Sequence, residues 1–148
     1  MKVLKHKYTC LFILMFIGLG LGAQTNISGV WQGEISLDYL PKSPWFKFEL
    51  TLKMNGKTIS GISHVWAFDN HALMELEGEH VKGNIYRLKE IRLKDFTTAT
   101  GWEWCLKTMY LEYSTENGYP TLSGIWEGYT SFSECKPGKL RVQKKPRA

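Results

Sequence analysis

The sequence predicts an all-β fold, a single up-and-down antiparallel barrel of eight strands. Three observations predict it: apolar and polar residues alternate in short segments, turn residues separate these segments at close intervals, and no segment keeps a helical apolar period. Consecutive strands joined by tight turns form a meander. Eight meandering strands with one apolar face tend to close into a barrel, because closure removes the exposed edges of the sheet.

The start of the chain has the composition of an export signal. Three lysines within the first seven residues precede an apolar run, which ends in small residues. The run is too short for a transmembrane anchor, which needs about 20 apolar residues. We therefore expect residues 1–23 to be a signal peptide cleaved near Ala23, residues 24–148 to be the barrel domain, and the protein to be secreted or periplasmic.

The charge of the remaining chain is small. The formal net charge is +5, and the predicted signal holds three of the positive charges and no acidic residue, which leaves +2. No basic patch interleaved with aromatic residues follows the signal, so we expect no nucleic-acid partner.

Two cysteines, Cys105 and Cys135, follow the predicted signal. An oxidising compartment normally joins an even pair as a disulfide. Neither cysteine has a Cys or His neighbour at a metal-binding spacing. We expect a disulfide between the start of the sixth strand and the end of the seventh, which lie at the same end of an antiparallel hairpin.

Eight alternating segments are predicted as strands. In chain order they are Gly29–Leu37, Trp45–Met54, Thr58–Phe68, Ala72–Val81, Ile85–Lys94, Trp104–Ser114, Thr121–Ser131 and Lys139–Gln143. The first opens on a Gly-x-Trp triplet, and the second alternates without interruption. The fourth, taken alone, also fits a short helix. The third, fifth, seventh and eighth follow the clearest turn signals, which are Asn55-Gly56, Lys82-Gly83-Asn84, Asn117-Gly118 and Lys136-Pro137-Gly138.

The Asn55-Gly56 turn decides which face of the third strand is interior. Asn-Gly favours a two-residue type I′ loop, in which both central residues have positive φ. With that loop Phe48 is expected to face Ser63, and the inward residues of the third strand are mostly small: Ile59, Gly61, Ser63, Val65 and Ala67. A three-residue bulged turn would instead turn the other face inward, namely Ile62, His64, Trp66 and Phe68. We prefer the two-residue loop.

The same reasoning at Asn117-Gly118 predicts the pairing of the sixth and seventh strands. Inside the barrel, Tyr113 faces Leu122, Leu111 faces Gly124 and Met109 faces Trp126. Outside, Tyr110 faces Ile125 and Leu106 faces Tyr129. These four outward residues predict a surface for a second copy of the chain or for another protein partner.

The pattern apolar-Ser-Gly-apolar-Trp-x-Gly occurs twice, around Trp31 and around Trp126. In the first copy, Gly29 lets the chain pass close at the barrel floor and Trp31 is large enough to fill it. Arg141 lies on the last strand, beside the first in a closed barrel. An Arg over an indole ring gains about 0.5–2 kcal/mol.

This combination resembles the calycin group of barrels, the lipocalins, fatty-acid-binding proteins and avidins. These families open with Gly-x-Trp and commonly lay a late-strand Arg or Lys across that Trp. The resemblance implies a closed barrel in which Gly29, Trp31 and Arg141 are structural. The short turns look most like the avidin layout, but of the inward positions that would hold biotin only Ser63 carries a suitable side chain. We therefore do not expect biotin binding.

The function that we expect from the sequence is non-catalytic binding of a small, mostly apolar molecule in the lumen. The residues expected to line that site are Phe48, Ser63, Val65, Met74, Leu76, Met109, Leu111 and Trp126. The first alternative is a protein-binding module, an inhibitor or an envelope-assembly subunit, that acts through the outer wall. An inward Trp66 and Phe68 would fill the lumen and favour that alternative. An enzyme of isomerase or cyclase type on the same scaffold is the second alternative.

Other chemistry receives less support from the sequence. Glu75, Glu77 and Glu79 alternate along one strand and face basic residues on the next, which is typical of a solvated charge ladder. His64, Asp69 and His71 have metal-ligating side chains near one turn, yet we expect no metal, no cofactor and no catalytic residues. No nucleophile elbow, phosphate loop or dinucleotide fingerprint is present.

Overall fold

The computed structural model describes residues 24–37 and 42–146, so the predicted signal peptide lies outside the described residues. Eight strands are present: β1 (Gly29–Ser36), β2 (Trp45–Asn55), β3 (Thr58–Ala67), β4 (Asn70–Lys82), β5 (Ile85–Phe96), β6 (Leu106–Glu116), β7 (Tyr119–Tyr129) and β8 (Gly138–Lys144). Each strand end lies within two residues of its predicted position. The described ranges contain no helix of the length and apolar character needed to cross a membrane.

The strands form a closed barrel in sequence order, with every neighbouring pair antiparallel and β8 paired to β1. The predicted fold class is therefore confirmed. The barrel has two distinct ends. The lower end carries the β2–β3, β4–β5 and β6–β7 turns together with both outer ends of the domain. The upper end carries the connections β1–β2, β3–β4, β5–β6 and β7–β8.

The interior is apolar because alternate side chains of every strand point inward. One continuous cluster of buried side chains runs from end to end, including Trp31, Phe48, Leu50, Leu76, Leu88, Leu111, Leu122 and Val142. The ladder of charged residues on the outside is also present, since Arg87 pairs with Glu79 at 2.7 Å and Arg92 pairs with Glu75.

The two tryptophans of the repeated motif fill opposite ends of this interior. Trp31 is fully buried near the lower end and donates from Nε1 to the carbonyl of Ile27 at 2.9 Å. Trp126 is buried near the upper end and donates from Nε1 to the carbonyl of Ser36 at 2.8 Å. The repeated pattern thus places one large side chain, with its indole nitrogen satisfied, toward each end of the barrel.

A short segment before β1 crosses the lower end. Tyr86 on β5 donates its hydroxyl to the carbonyl of Thr25 at 2.7 Å. Burial of this side chain raises the pKa of Tyr86 above its usual value. Gln24 donates to the carbonyl of Gly56 in the β2–β3 turn at 2.7 Å. The segment therefore covers the floor beside Trp31.

The prediction that Arg141 covers Trp31 is wrong. Leu140 and Val142 point inward, so Arg141 between them points outward, and its Nε lies 2.9 Å from the Glu116 carboxylate. The cation near Trp31 is Lys144, whose Nζ lies 5.6 Å from the ring centroid. Lys144 has the same strand phase as the inward residues and lies directly opposite Trp31 in the ladder. A late-strand cation does contact the indole, but it is a different residue.

The preferred face of β3 is confirmed, although the individual pairs are shifted by two residues. Phe48 pairs with Val65 rather than with Ser63, because Asn55 still belongs to the ladder and pairs with Thr58. The loop is Gly56-Lys57, in which Gly56 takes the positive φ of 61°. A two-residue shift leaves every side chain on its predicted face. The β6–β7 pairs match the prediction, and Asn117 and Gly118 both have positive φ.

The disulfide between Cys105 and Cys135 is present and joins the β5–β6 connection to the β7–β8 connection at the upper end. A persistent disulfide indicates folding in an oxidising compartment.

Candidate ligand site inside the barrel

All eight residues predicted to line a ligand site point into the barrel and are buried. None has more than 4% of its surface exposed: Phe48, Ser63, Val65, Met74, Leu76, Met109, Leu111 and Trp126. An open cavity wide enough for water would leave accessible area on its walls. The side chains of this region are therefore packed against one another.

Sequence reasoning missed two charged residues at this place. Glu90 on β5 and Lys107 on β6 are both buried, and Lys107 Nζ lies 2.9 Å from Glu90 Oε2. Ser63 donates its hydroxyl to Glu90 Oε1 at 2.5 Å. We call Ser63, Glu90 and Lys107 the interior polar cluster. It lies between the middle of the barrel and its upper end.

Strand alternation places both charges inside. On β5 the buried residues Tyr86 and Leu88 are followed two residues later by Glu90. On β6 the buried residues Met109 and Leu111 are preceded by Lys107. The period of two that predicted the apolar neighbours therefore also contained the signal for Glu90 and Lys107.

The point at which β5 and β6 separate explains a further contact of Glu90. The ladder between these strands ends at the pair Lys89–Thr108. The next amide, that of Lys107, has left the ladder and donates instead to Glu90 Oε2 at 2.8 Å. The carboxylate thus satisfies a backbone group that the diverging strands leave without a strand partner.

The ammonium of Lys107 contacts polar and soft groups around it. Its Nζ lies 3.2 Å from the carbonyl oxygen of Cys105, 3.7 Å from Met74 Sδ and 5.9 Å from the centroid of the Trp126 ring. Throughout the described part of the chain, every buried side-chain nitrogen and oxygen has a hydrogen-bond partner. The interior polar cluster is therefore internally satisfied and close to neutral.

Exposed aromatic side chains lie together at one side of the upper end of the barrel. The ring of Phe68, in the β3–β4 turn, packs edge-on against Phe46 and Trp102, with centroids 5.2 and 5.8 Å away. Phe68 is 69% exposed and has a φ of 55°, a left-handed conformation that bulky side chains rarely adopt. We call Phe68 and Trp102 the aromatic rim.

The outer wall of β6 and β7 carries the predicted apolar surface. Tyr110, Ile125 and Tyr129 are exposed by 39%, 47% and 58%, and Leu106 is half-buried. Tyr110 pairs with Ile125, and Leu106 pairs with Tyr129, and the polar pair Thr108–Glu127 lies between them on the same face.

Comparisons of the chain with protein-family models, with curated proteins and with solved structures found no match. The closed eight-stranded barrel is consistent with a calycin-like fold. That likeness depends on the architecture, on Gly29 and Trp31, and on the late-strand cation beside Trp31.

Proposed function

We propose that the protein is an exported, non-catalytic binding protein that holds a small, mostly apolar molecule with one polar group inside the upper half of the barrel. The observation that carries this proposal is the interior polar cluster. It is a charged pair hydrogen-bonded to a serine within an otherwise apolar lumen, and it lies where β5 and β6 separate.

The energetics favour a role beyond holding the barrel together. Removing a carboxylate and an ammonium from water costs several kcal/mol for each ion, and apolar side chains of similar volume often stabilise a core equally well. Ligand sites in barrels are mostly apolar and contain a few polar groups that fix the orientation of the ligand. Lys107, Glu90 and Ser63 are suited to that task, since together they offer both donors and acceptors.

Space for the ligand would come from movement of side chains. Met74 and Met109 are unbranched and adapt to irregular volumes more readily than the branched side chains around them. Met74 lies against Lys107, so its displacement would also free one side of the ammonium. An eight-stranded barrel holds one small ligand at most, which limits the ligand to a compact molecule.

The route of entry would lie between upper β5 and β6. Above the pair Lys89–Thr108 no ladder joins these two strands, and Ile91 and Phe96 of β5 are exposed there. The aromatic rim lies at the same end of the barrel and would provide the first apolar contact for a molecule arriving from solvent.

The test begins with native mass spectrometry of the purified protein, to find a small molecule that copurifies with it. A panel of compact apolar and amphipathic compounds is then titrated while tryptophan emission and the melting temperature are followed. Trp126→Phe assigns the emission change to Trp126. We expect one compound class to bind with one molecule per chain.

One double variant tests the interior ion pair, and a second double variant is its matched control. Glu90→Gln with Lys107→Met replaces the interior ion pair and should weaken binding at least about tenfold, the loss of roughly one charge-assisted hydrogen bond. Glu79→Gln with Arg87→Met replaces an exposed pair and should leave binding unchanged. If no compound alters either signal, or if both double variants bind as the wild type does, lumen binding is refuted.

A second candidate function is protein binding through the outer wall. The exposed side chains of Tyr110, Ile125 and Tyr129 on β6 and β7 favour it, because apolar side chains grouped on a surface and bordered by polar residues often mark a protein-interaction site. An association experiment on these residues, described below, tests this candidate separately from the lumen.

A further inference from the structure

Two histidines on the outer wall approach each other closely. His64 on β3 and His71 on β4 lie on adjacent strands, and His64 Nε2 is 3.1 Å from His71 Nδ1. We propose that this pair is a binding site for one divalent late transition-metal ion, Cu²⁺ or Zn²⁺. The site is independent of the proposed lumen function and lies on the opposite side of the barrel wall from the interior.

The separation of the two nitrogens suits a shared metal. Imidazole nitrogens bind zinc at about 2.0–2.1 Å, so two nitrogens on one ion are about 2.8–3.4 Å apart for angles between right-angled and tetrahedral. The observed 3.1 Å lies inside that interval. In the metal-free protein one ring donates an N–H to the other, and the metal would replace that proton after small ring rotations.

Neighbouring residues hold the ring of His64 and the backbone of His71 in place. The ring of Trp66 stacks on His64 with centroids 3.6 Å apart, and Lys47 Nζ lies 4.3 Å from the centroid of the Trp66 ring. The backbone of His71 is fixed through Thr97: its amide donates to Thr97 Oγ1 at 3.1 Å, and its carbonyl accepts from the Thr97 amide at 2.9 Å. Such ordering lowers the entropy cost of bringing two ligands to one ion.

The charges around His64 also suit a cation. Burial lowers the pKa of His64, and the charge of His71 lowers it further. Glu49, directly opposite His64 in the ladder, and Asp95 of β5 act in the other direction and would attract a metal ion. Lys47 opposes it, but its ammonium lies over the Trp66 ring.

The site would have two protein ligands. Among the residues that the structure describes, no group of three His, Cys, Asp or Glu side chains is placed to hold a metal ion. Water or an external ligand would fill the remaining positions. Such a site should bind Cu²⁺ more tightly than Zn²⁺, in keeping with the general order of divalent affinities.

The experiment uses the purified protein without a polyhistidine tag. Isothermal titration with CuSO₄ and with ZnSO₄ at neutral pH should show one ion per chain. His64→Gln and His71→Gln each remove one ligand and should weaken binding at least about tenfold, since even the loss of an outer partner of a ligand costs about 10–100-fold. His80→Gln is the matched control, because His80 is also on β4 and its ring contacts the Gly83 carbonyl and the Tyr86 ring rather than the ring of His64 or His71.

Two spectroscopic signals distinguish this site from adventitious binding. The electron paramagnetic resonance spectrum of the Cu²⁺ complex should show two imidazole nitrogens in the wild type and one in each single variant. Cu²⁺ should also quench the emission of Trp66, which is stacked on His64. Absence of binding in the wild type, or binding that both histidine variants retain, would overturn the proposal.

Discussion

Glu90 and Lys107 form a buried ion pair, with side-chain exposures of 0% and 5%. The other pairs on the described barrel are substantially exposed, and such pairs contribute little to stability. A buried pair differs, because removal of one partner leaves the other charge without compensation in an apolar region. The effect of a substitution therefore depends on whether one charge or both are removed.

We expect Lys107→Met alone to lower the free energy of unfolding by about 3–5 kcal/mol, because Glu90 then keeps a buried, unpaired charge. The double variant Glu90→Gln with Lys107→Met should lose clearly less than the single variant. The side-chain amide that replaces the Glu90 carboxylate would still accept a hydrogen bond from the backbone amide of position 107 or from Ser63, while the charge is absent. Urea denaturation monitored by circular dichroism measures both values.

The control is Arg87→Met, which removes one charge of an exposed pair and should change stability by less than about 1 kcal/mol. A single Lys107→Met variant as stable as the wild type would contradict the buried-charge argument. The same measurement establishes whether the double variant is folded for the ligand titrations.

At the residue scale, strand alternation predicts which side chains point into the barrel, charged ones included. All eight proposed lumen residues lie inside, and the same period of two would have identified Glu90 and Lys107. The prediction for Arg141 was wrong because it rested on the resemblance to other barrels, which implies a cation near Trp31 but does not say which face of the last strand carries it. Because Leu140 and Val142 point inward, the period of two identifies Lys144 as the next inward residue and therefore as the cation near Trp31. The 3.1 Å approach of His64 and His71, however, depends on rotamers that sequence spacing does not contain.

The hairpin of β6 and β7 is fixed at both of its ends. Asn117 and Gly118 form the lower turn with positive φ at both positions. At the upper end a disulfide joins Cys105, just before β6, to Cys135, which follows β7. The two cysteines are 30 residues apart in the sequence. The Cys135 amide also donates to the Gly128 carbonyl at 2.9 Å. The cross-link therefore closes the hairpin where the strands enter the upper connections.

We expect the double variant Cys105→Ser with Cys135→Ser to lower the free energy of unfolding by about 3–4 kcal/mol, the chain-entropy value for a loop of this length. Thermal and urea denaturation with and without reductant measure the loss. Reductant should destabilise the wild type and have no effect on the double variant. Thiol titration of denatured, unreduced protein that lacks residues 1–23 should give no free thiol, and two free thiols would disprove the cross-link.

Strand boundaries and strand faces were predictable at the element scale, whereas the register at one turn was not. Asn-Gly pairs form the two central residues at Asn117-Gly118 but not at Asn55-Gly56, where the loop moves by one residue to Gly56-Lys57. Thr58 then pairs with Asn55 and donates its hydroxyl to the Asn55 carbonyl at 2.9 Å. This contact between Thr58 and Asn55 competes with the preference of Asn55-Gly56 for the two central positions of the turn. The sequence alone does not show which of the two effects is stronger.

At the scale of the whole molecule, closure of the barrel leaves the outer wall as the large surface available to partners. The apolar part of that wall on β6 and β7 consists of Leu106, Tyr110, Ile125 and Tyr129. The β5–β6 connection does not cover it, because three of these residues remain exposed. We therefore propose that a second copy of the chain, one of the two kinds of partner expected from the sequence, pairs through this wall.

We expect Tyr110→Glu combined with Ile125→Lys to lower the molar mass of the protein measured by light scattering, because two charges would be placed in an apolar contact. Circular dichroism should show an unchanged barrel, since both side chains point to solvent. The matched control is Val81→Lys with Tyr119→Glu, two exposed apolar residues at the lower end. Wild-type protein that is already monomeric at high micromolar concentration would rule out this association.

The positions of Gln24 and Lys145 at the lower end of the barrel determine how the domain is oriented when it is attached to a surface. Gln24 and Lys145 both lie at the lower end, where Gln24 contacts the Gly56 carbonyl and the Lys145 amide donates to the Val30 carbonyl at 2.8 Å. The aromatic rim and the disulfide lie at the other end. A tether fused to either side of the domain would therefore point the same way. Protein immobilised through it on a sensor chip would stand with the proposed entry route turned toward the flowing solution.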